Sequence, residues 1–271
     1  MKISIIGLGW IGKPLAGALK SQGHQVIGST TSREKMQELA NEGLETRLFQ
    51  LYPEPQGSGY EELFTADILY INIPPGRRKH PDAFHPQQIA SIIKLIKEGS
   101  VRKVIYVSAT SVYPNQNQTA REDDPLDGGI TENPALFEAE QLLWTNSGCP
   151  LTVIRFGGLL GDNRIPGKYF SGKENVPGHP PVNYIYRDDA IRAIQWVIEK
   201  ELWNETFNLV APEHPKKKDV YEANAKLLGF SPPSSYESPE VTSWKEICVD
   251  KFLATGFKFH YPDPLSFPYG E

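Results

Sequence analysis

The sequence predicts an α/β fold: a doubly wound parallel sheet with a small C-terminal lobe. Three observations predict it. Short apolar runs alternate with segments of helical period along residues 2–156, the pattern of a parallel sheet covered by helices on both faces. The first run ends in a glycine-rich turn that opens a helix. Beyond Phe156 the composition shifts toward Gly, Pro and aromatic residues.

KISIIG (2–7) is an apolar run ending in glycine, as buried parallel strands do. WIGKPLAGALKSQG follows with Ile11, Leu15 and Leu19 on one helical face and Gly23 as its stop. HQVIGS (24–29) reads as the second strand and SREKMQELANEG (32–43) as a polar-faced helix ended by Gly43. DILYINIP (67–74) is a strand stopped by Pro74-Pro75, and PQQIASIIKLIKEG stacks Ile89, Ile92, Ile93 and Ile96 as a helix. KVIYVSA (103–109) and LTVIRF (151–156) complete the strand series. YRDDAIRAIQWVIEK, TFNLVA and KKKDVYEANAKLLG then read as helix, strand and helix, with Lys216–Lys218 as a solvated first turn. The expected organisation is a dinucleotide-binding domain over 1–156, rejoined by 182–205. Residues 157–181 and 206–271 form a small substrate-binding lobe over the C-terminal edge of the sheet, where ligands bind in open α/β folds.

Composition excludes several function classes. With 28 Lys and Arg against 33 Asp and Glu, the net charge of −5 gives no footprint for nucleic acid or an anionic membrane. Cys149 and Cys248 cannot build a disulfide framework, and the six histidines lack metal-ligand spacing, so no metal is expected. No apolar run is long enough for a membrane span, and Met1-Lys2 leads directly into a strand, leaving no room for a signal peptide. The expectation is a soluble cytoplasmic protein acting on a small molecule, without nucleic-acid or membrane partners; a homodimer stays open.

Gly7-Leu8-Gly9-Trp10-Ile11-Gly12 is GxGxxG between a strand and a helix. Gly7 permits the tight turn, Gly9 lets the backbone approach a pyrophosphate, and Gly12 allows close helix–strand packing. With this context on both sides the motif predicts a Rossmann-type dinucleotide site; a merely tight turn is the bland alternative. The second strand ends in Thr30-Thr31-Ser32-Arg33 with no acid before Glu34. NAD sites place Asp or Glu there, whereas hydroxyls and a guanidinium suit a 2′-phosphate, so NADP is favoured over NAD. Ser32 as a helix cap with an exposed Arg33 is compatible with both. Ile73, Pro74 and Ser108, at later strand ends, complete the expected cofactor set with Gly7, Gly9, Trp10, Ile11, Gly12 and Thr30–Arg33.

Downstream motifs carry a family resemblance. VIYVSATSVYP (104–114), REDDPL (121–126), FEAEQLL (137–143), VIRFGGLLGDNR (153–164) and PVNYIYRDDAIRAI (181–194) occur in order along about the whole chain. They resemble the extended short-chain dehydrogenases/reductases, most nearly their atypical NAD-dependent epimerase/dehydratase-like, nucleoside-diphosphate-sugar epimerase-like branch. GLGWIGKPLA alone also resembles the opening of β-hydroxyacid dehydrogenases, which would require a long all-helical C-terminal half. The first resemblance implies a catalytic Tyr, Lys and Ser/Thr. Aligned on these motifs, those places hold Glu132, Leu136 and Ala109. Places that contact substrate in many relatives hold Gly158 and Val182.

The replacement candidates are therefore Glu132, Thr110, Ser111 and Tyr113. A carboxylic acid can protonate a developing alkoxide when burial raises its pKa. Against that, Asn133-Pro134 reads as an N-cap and first helical residue, leaving Glu132 just outside the helix. Thr110, Ser111 and Tyr113 follow a strand end on the ligand side, or form a hydroxyl-capped turn. Tyr186 is expected to pack between lobes, Arg155 to pair with an interior carboxylate, and Asp188 and Asp189 to cap a helix. The leading expectation is hydride transfer between NADP and a carbonyl/hydroxyl pair. The alternatives are a non-catalytic NADP-binding sensor and a β-hydroxyacid dehydrogenase.

Overall fold

Ile3, Ile5 and Ile6 are almost fully buried in β1 (Lys2–Ile6), which makes this strand the middle of the sheet. The computed structural model describes residues 1–76, 79–240 and 243–269. In chain order, β1 leads to α1 (Gly12–Ser21), β2 (Gln25–Thr30), α2 (Arg33–Asn41), β3 (Glu45–Leu51) and β4 (Pro55–Ser58). The chain continues through β5 (Ile68–Ile71), α3 (Phe84–Glu98), β6 (Lys103–Ala109), β7 (Gln118–Ala120), α4 (Pro134–Asn146) and β8 (Leu151–Phe156). It ends with β9 (Gly158–Leu160), α5 (Pro166–Tyr169), β10 (Tyr184–Tyr186), α6 (Arg187–Glu199), β11 (Glu205–Leu209), α7 (Lys217–Leu228), β12 (Lys245–Ile247) and α8 (Asp250–Leu253).

Among the described residues the main sheet has eight strands in the order β11-β8-β6-β5-β1-β2-β3-β4. β1 pairs in parallel with β2 on one side and β5 on the other, and β3–β4 is antiparallel. The chain leaves β1 toward β2 and β3, then returns to β5 on the opposite flank. In doubly wound sheets such a reversal puts the ligand site beyond the C-terminal ends of the strands, here β1 and β5. β4 is a four-residue edge strand containing Pro55, and Gly57 (φ +140°) is obligatory there because a Cβ would lie 1.9 Å from the Leu48 carbonyl oxygen. The strands and helices read from apolar patterning all form. β3 and β4 lack a strand signature in the sequence, because Glu45-Thr-Arg-Leu-Phe-Gln-Leu51 presents neither a continuous apolar run nor strict alternation.

α3 docks through polar as well as apolar contacts. His85 is fully buried; its Nε2 lies 2.8 Å from the Tyr106 hydroxyl and its Nδ1 3.2 Å from Gln88 Oε1. Burial lowers the His85 pKa from 6.5 to about 4, against the opposing hydrogen bond to Gln88. The folded state therefore holds a neutral imidazole where the unfolded chain takes up a proton. The resulting stability is complete above the unfolded value and is lost as the pH falls toward the folded one. Urea unfolding at pH 7.5 and pH 4 should show a loss of about 3 kcal/mol from this group, and His85→Gln should remove most of that difference. An unchanged pH dependence in His85→Gln would rule this origin out.

The chain divides into two compact units: Met1–Val112 with Asp127–Ile154 and Val197–Thr206, and Tyr113–Leu126 with Arg155–Trp196 and Phe207–Glu271. Residues 113–126 and 182–196 thus group with the second unit rather than the dinucleotide-binding portion. The reason is local: β7 pairs with β12, and β10 with β9. The second unit has its own core of Leu160, Tyr186, Ala211 and Phe267. The fully buried Asp189 accepts hydrogen bonds from Arg192 and from the backbone N–H groups of His260 and Tyr261. It lies with Asp188 in the first turn of α6, as expected, and in addition ties down the C-terminal segment. Strands β8 to β12 run through the C-terminal half, so it is not the all-helical domain of a β-hydroxyacid dehydrogenase. No helix among the described residues is long and apolar enough to cross a membrane.

Candidate functional site

The glycine loop shows three different spatial demands. Gly7 has φ +103°, and a Cβ there would lie 2.4 Å from the Asn72 carbonyl oxygen. A Cβ on Gly12 would lie 2.1 Å from the Gly7 carbonyl oxygen. Gly9 is exposed and a Cβ would meet nothing within 4 Å. Two glycines let the turn close, and the third leaves space over the backbone. That empty space beside a helix N-terminus fits a pyrophosphate. β2 braces the loop: Ser29 Oγ accepts from Gly7 N–H at 3.1 Å, and Leu8 N–H donates to the Ser29 carbonyl at 2.8 Å. Ser29 opens the hydroxyl run Ser29-Thr30-Thr31-Ser32, but its role is to brace the glycine loop, which the sequence does not show. Ile11 is buried, Trp10 is half-buried, and the first turn of α1 has no acid to repel a phosphate.

At the end of β2, Thr30 is buried while Thr31 and Arg33 are exposed. Ser32 caps α2, its Oγ accepting from Lys35 N–H at 3.2 Å. The cap occupies the hydroxyl and leaves the Arg33 guanidinium exposed at the first helical position. Ile73 is half-buried and Pro74 exposed after Asn72, whose N–H donates to the Ile6 carbonyl. Ser108 is buried, and its hydroxyl has no partner among the described residues.

Beyond β6, Thr110 is buried and begins a 3-10 turn. The start of α4 is fastened to this turn. Asn133 donates to Ser111 Oγ at 3.0 Å and accepts from Leu136 N–H at 3.3 Å. Thr131 donates to the Val112 carbonyl at 2.7 Å. Asn133 and Pro134 are thus the cap and first residue of the helix, as expected. Glu132 is exposed inside this fastened segment, without the burial that the proton-donor reading calls for. Leu136 is buried in the first turn of α4. Thr131 and Asn133, on either side of Glu132, are thus tied to the turn that carries Thr110 and Ser111.

Tyr113 is different. Its hydroxyl donates to Asn208 Oδ1 at 2.8 Å and accepts from Arg155 at 2.6 Å, deep inside the second unit. Burial pushes its pKa up to about 12, although Arg155 and Asn208 oppose the rise. A hydroxyl held on both sides serves packing, so Tyr113 belongs with the framework rather than with the proton donors. Asn208 also donates its backbone N–H to Glu122 at 2.8 Å, and Arg155 is one of the cations whose charge offsets the effect of burial on that carboxylate. Arg155 thus faces both a phenol and a carboxylate. Asn208 and Glu122 were missed because nothing in the sequence links positions 86 residues apart.

Elsewhere in this unit, Tyr186 packs on Tyr261 and Phe267, with ring centroids 4.5 and 5.4 Å away, all within the unit's own core. Arg187 forms a two-pronged ion pair with Asp162. At Gly158, a Cβ would lie 2.7 Å from the Tyr184 ring. Tyr184 therefore fills the space that a side chain at position 158 would need, and Val182 is fully buried.

Comparison with known proteins agrees with this geometry. The NAD(P)H-binding family profile matches residues 7–193. The protein YeeZ of Escherichia coli (strain K12) is 32% identical over 270 residues, covering 98% of each chain. Among solved structures, a short-chain dehydrogenase/reductase superfamily protein from Agrobacterium tumefaciens with bound NAD superposes with a TM-score of 0.77. It is 16% identical, over 98% of this chain and 95% of that one. The UDP-glucuronic acid 4-epimerase of Bacillus cereus, in complex with UDP-glucuronic acid and NAD, gives 0.74 at 18% identity, over 98% and 96%. These structures share the fold, a mostly parallel Rossmann-type sheet with flanking helices. The chain belongs to the NAD(P)H-binding family, on the fold of the short-chain dehydrogenases/reductases.

Proposed function

We propose that the protein is an NADP-dependent oxidoreductase of epimerase/dehydratase type acting on a small polar substrate in the cytoplasm. The observation that carries this reading is the open space over Gly9 beside an acid-free β2 end. The nicotinamide, when bound, supplies or accepts a hydride. The chain's own residues do the rest. The backbone of Gly9 and the first turn of α1 hold the pyrophosphate, and Thr31 and Arg33 face the adenosine ribose and its 2′-phosphate. Glu132 would exchange a proton with the substrate oxygen from beside the helix cap that Asn133 ties to Ser111.

Arg33 offers charge-assisted donors that a 2′-hydroxyl does not need. NADPH should therefore bind more tightly than NADH, and Arg33→Ala should weaken NADPH by about 1.5–3 kcal/mol with little effect on NADH. Calorimetry giving equal affinities for the wild-type protein would overturn the preference. A screen of carbonyl compounds and sugar nucleotides for NADPH consumption tests turnover itself.

A second reading has its own observation. Leu136 is buried where the related enzymes carry an ammonium, so the charge that assists their phenol is absent. A dinucleotide-binding sensor without turnover fits that replacement, and binding without consumption across the screen would favour it.

A further inference from the structure

Tyr52, directly after β3, keeps 58% of its surface exposed, unusually much for a large aromatic residue. It belongs to a small aromatic assembly. Its ring meets those of His80 and Phe84 edge to face at 5.6 and 5.5 Å, and His80 stacks on Phe84 at 3.9 Å. Gln88, one turn into α3, donates to the Leu51 carbonyl at 2.9 Å and so pins the helix start to the end of β3. The assembly is braced from below and open above.

Its place in the sheet suggests its use. β3 lies parallel to β2 on the side away from β1, with Thr30 opposite Leu48. Tyr52 thus lies at the same C-terminal edge as Thr30–Arg33, one strand further out. The pyrophosphate belongs at β1 and the adenosine ribose at the end of β2. The next group along the same dinucleotide is the adenine base. A purine offers a flat π face, and exposed aromatic side chains bind such faces by stacking.

We infer that Tyr52, backed by His80 and Phe84, is the stacking platform for the adenine ring of the bound dinucleotide. The inference rests on the dinucleotide reading proposed above and adds a positioning residue to it. An aromatic ring binds the base irrespective of the 2′-phosphate, so the platform serves NADP and NAD alike.

Binding of ADP-ribose and of NADPH should be measured by calorimetry for the wild type, Tyr52→Ala, Tyr52→Phe and Tyr52→Trp. Tyr52→Ala should weaken both ligands about tenfold, and Tyr52→Phe should keep wild-type affinity. Tyr52→Trp should add an emission component that ADP-ribose quenches. Wild-type affinity in Tyr52→Ala, or no added quenching in Tyr52→Trp, overturns the platform while leaving the dinucleotide reading intact. A wild-type protein that binds neither ligand overturns both. The side chain is exposed, so loss of folding does not confound the alanine variant, and circular dichroism checks this directly.

Discussion

Gly9→Val should fold like the wild type and bind no dinucleotide, whereas Gly12→Ala should unfold more easily before binding is even tested. The contrast follows from the space around each Cβ. At Gly9 the new side chain enters open space, so it costs the fold nothing and occupies the volume a pyrophosphate needs. At Gly12 a single methyl group would stand 2.1 Å from the Gly7 carbonyl oxygen and 3.3 Å from Ile5 Cγ2. Helix and strand must separate to admit it, and overpacking of backbone against backbone should cost about 3 kcal/mol or more. Thermal unfolding with and without NADPH separates the two. Gly9→Val should keep its melting temperature and lose the ligand-induced rise. If NADPH still raises the melting temperature of Gly9→Val by the wild-type amount, the loop is not the cofactor site.

Glu132→Gln should lower kcat by about a hundredfold while leaving NADPH affinity unchanged. The amide keeps the size of the side chain and removes its ionisable carboxyl group, and with it the charge and the transferable proton. Asn133 and Thr131 hold the segment independently of position 132, so the junction with the 110–112 turn should survive the substitution. Restoring a tyrosine at position 132 should not restore the relatives' mechanism, because Leu136 supplies no ammonium beside it. Full kcat in Glu132→Gln would reduce the carboxylate to a residue beside a helix cap.

The contrast between the two halves of the site explains what was legible in the sequence. The cofactor half is local: Gly7, Gly9 and Gly12 fall within six consecutive positions, and the Ser32 and Asn133 caps sit beside the helices they start. Backbone geometry dictates residue type there, so type and spacing can be read back into geometry. β3 escaped that reading because Thr46, Phe49 and Leu51 are buried while Glu45 and Gln50 face outward. That spacing follows neither a two-residue period nor a continuous apolar run, the two patterns by which a strand is read. The substrate half depends on pairings across long separations. Tyr113 reads as an active hydroxyl until Arg155 and Asn208 are brought to it, 42 and 95 residues away. Tyr184 reads as an ordinary aromatic until its ring is found against Gly158.

The edge strand β4 has a consequence for the protein's behaviour at high concentration. An unprotected sheet border is a template onto which a strand of another molecule can zip, the route to fibrous aggregates. Here the border is only four residues long, begins with a proline that has no N–H to offer, and carries at Gly57 a conformation that ordinary residues rarely adopt. A foreign strand finds too few donors and an irregular backbone on that side. Growth of a continuous intermolecular sheet is blocked there by the covalent structure of the border itself, even in crowded solution.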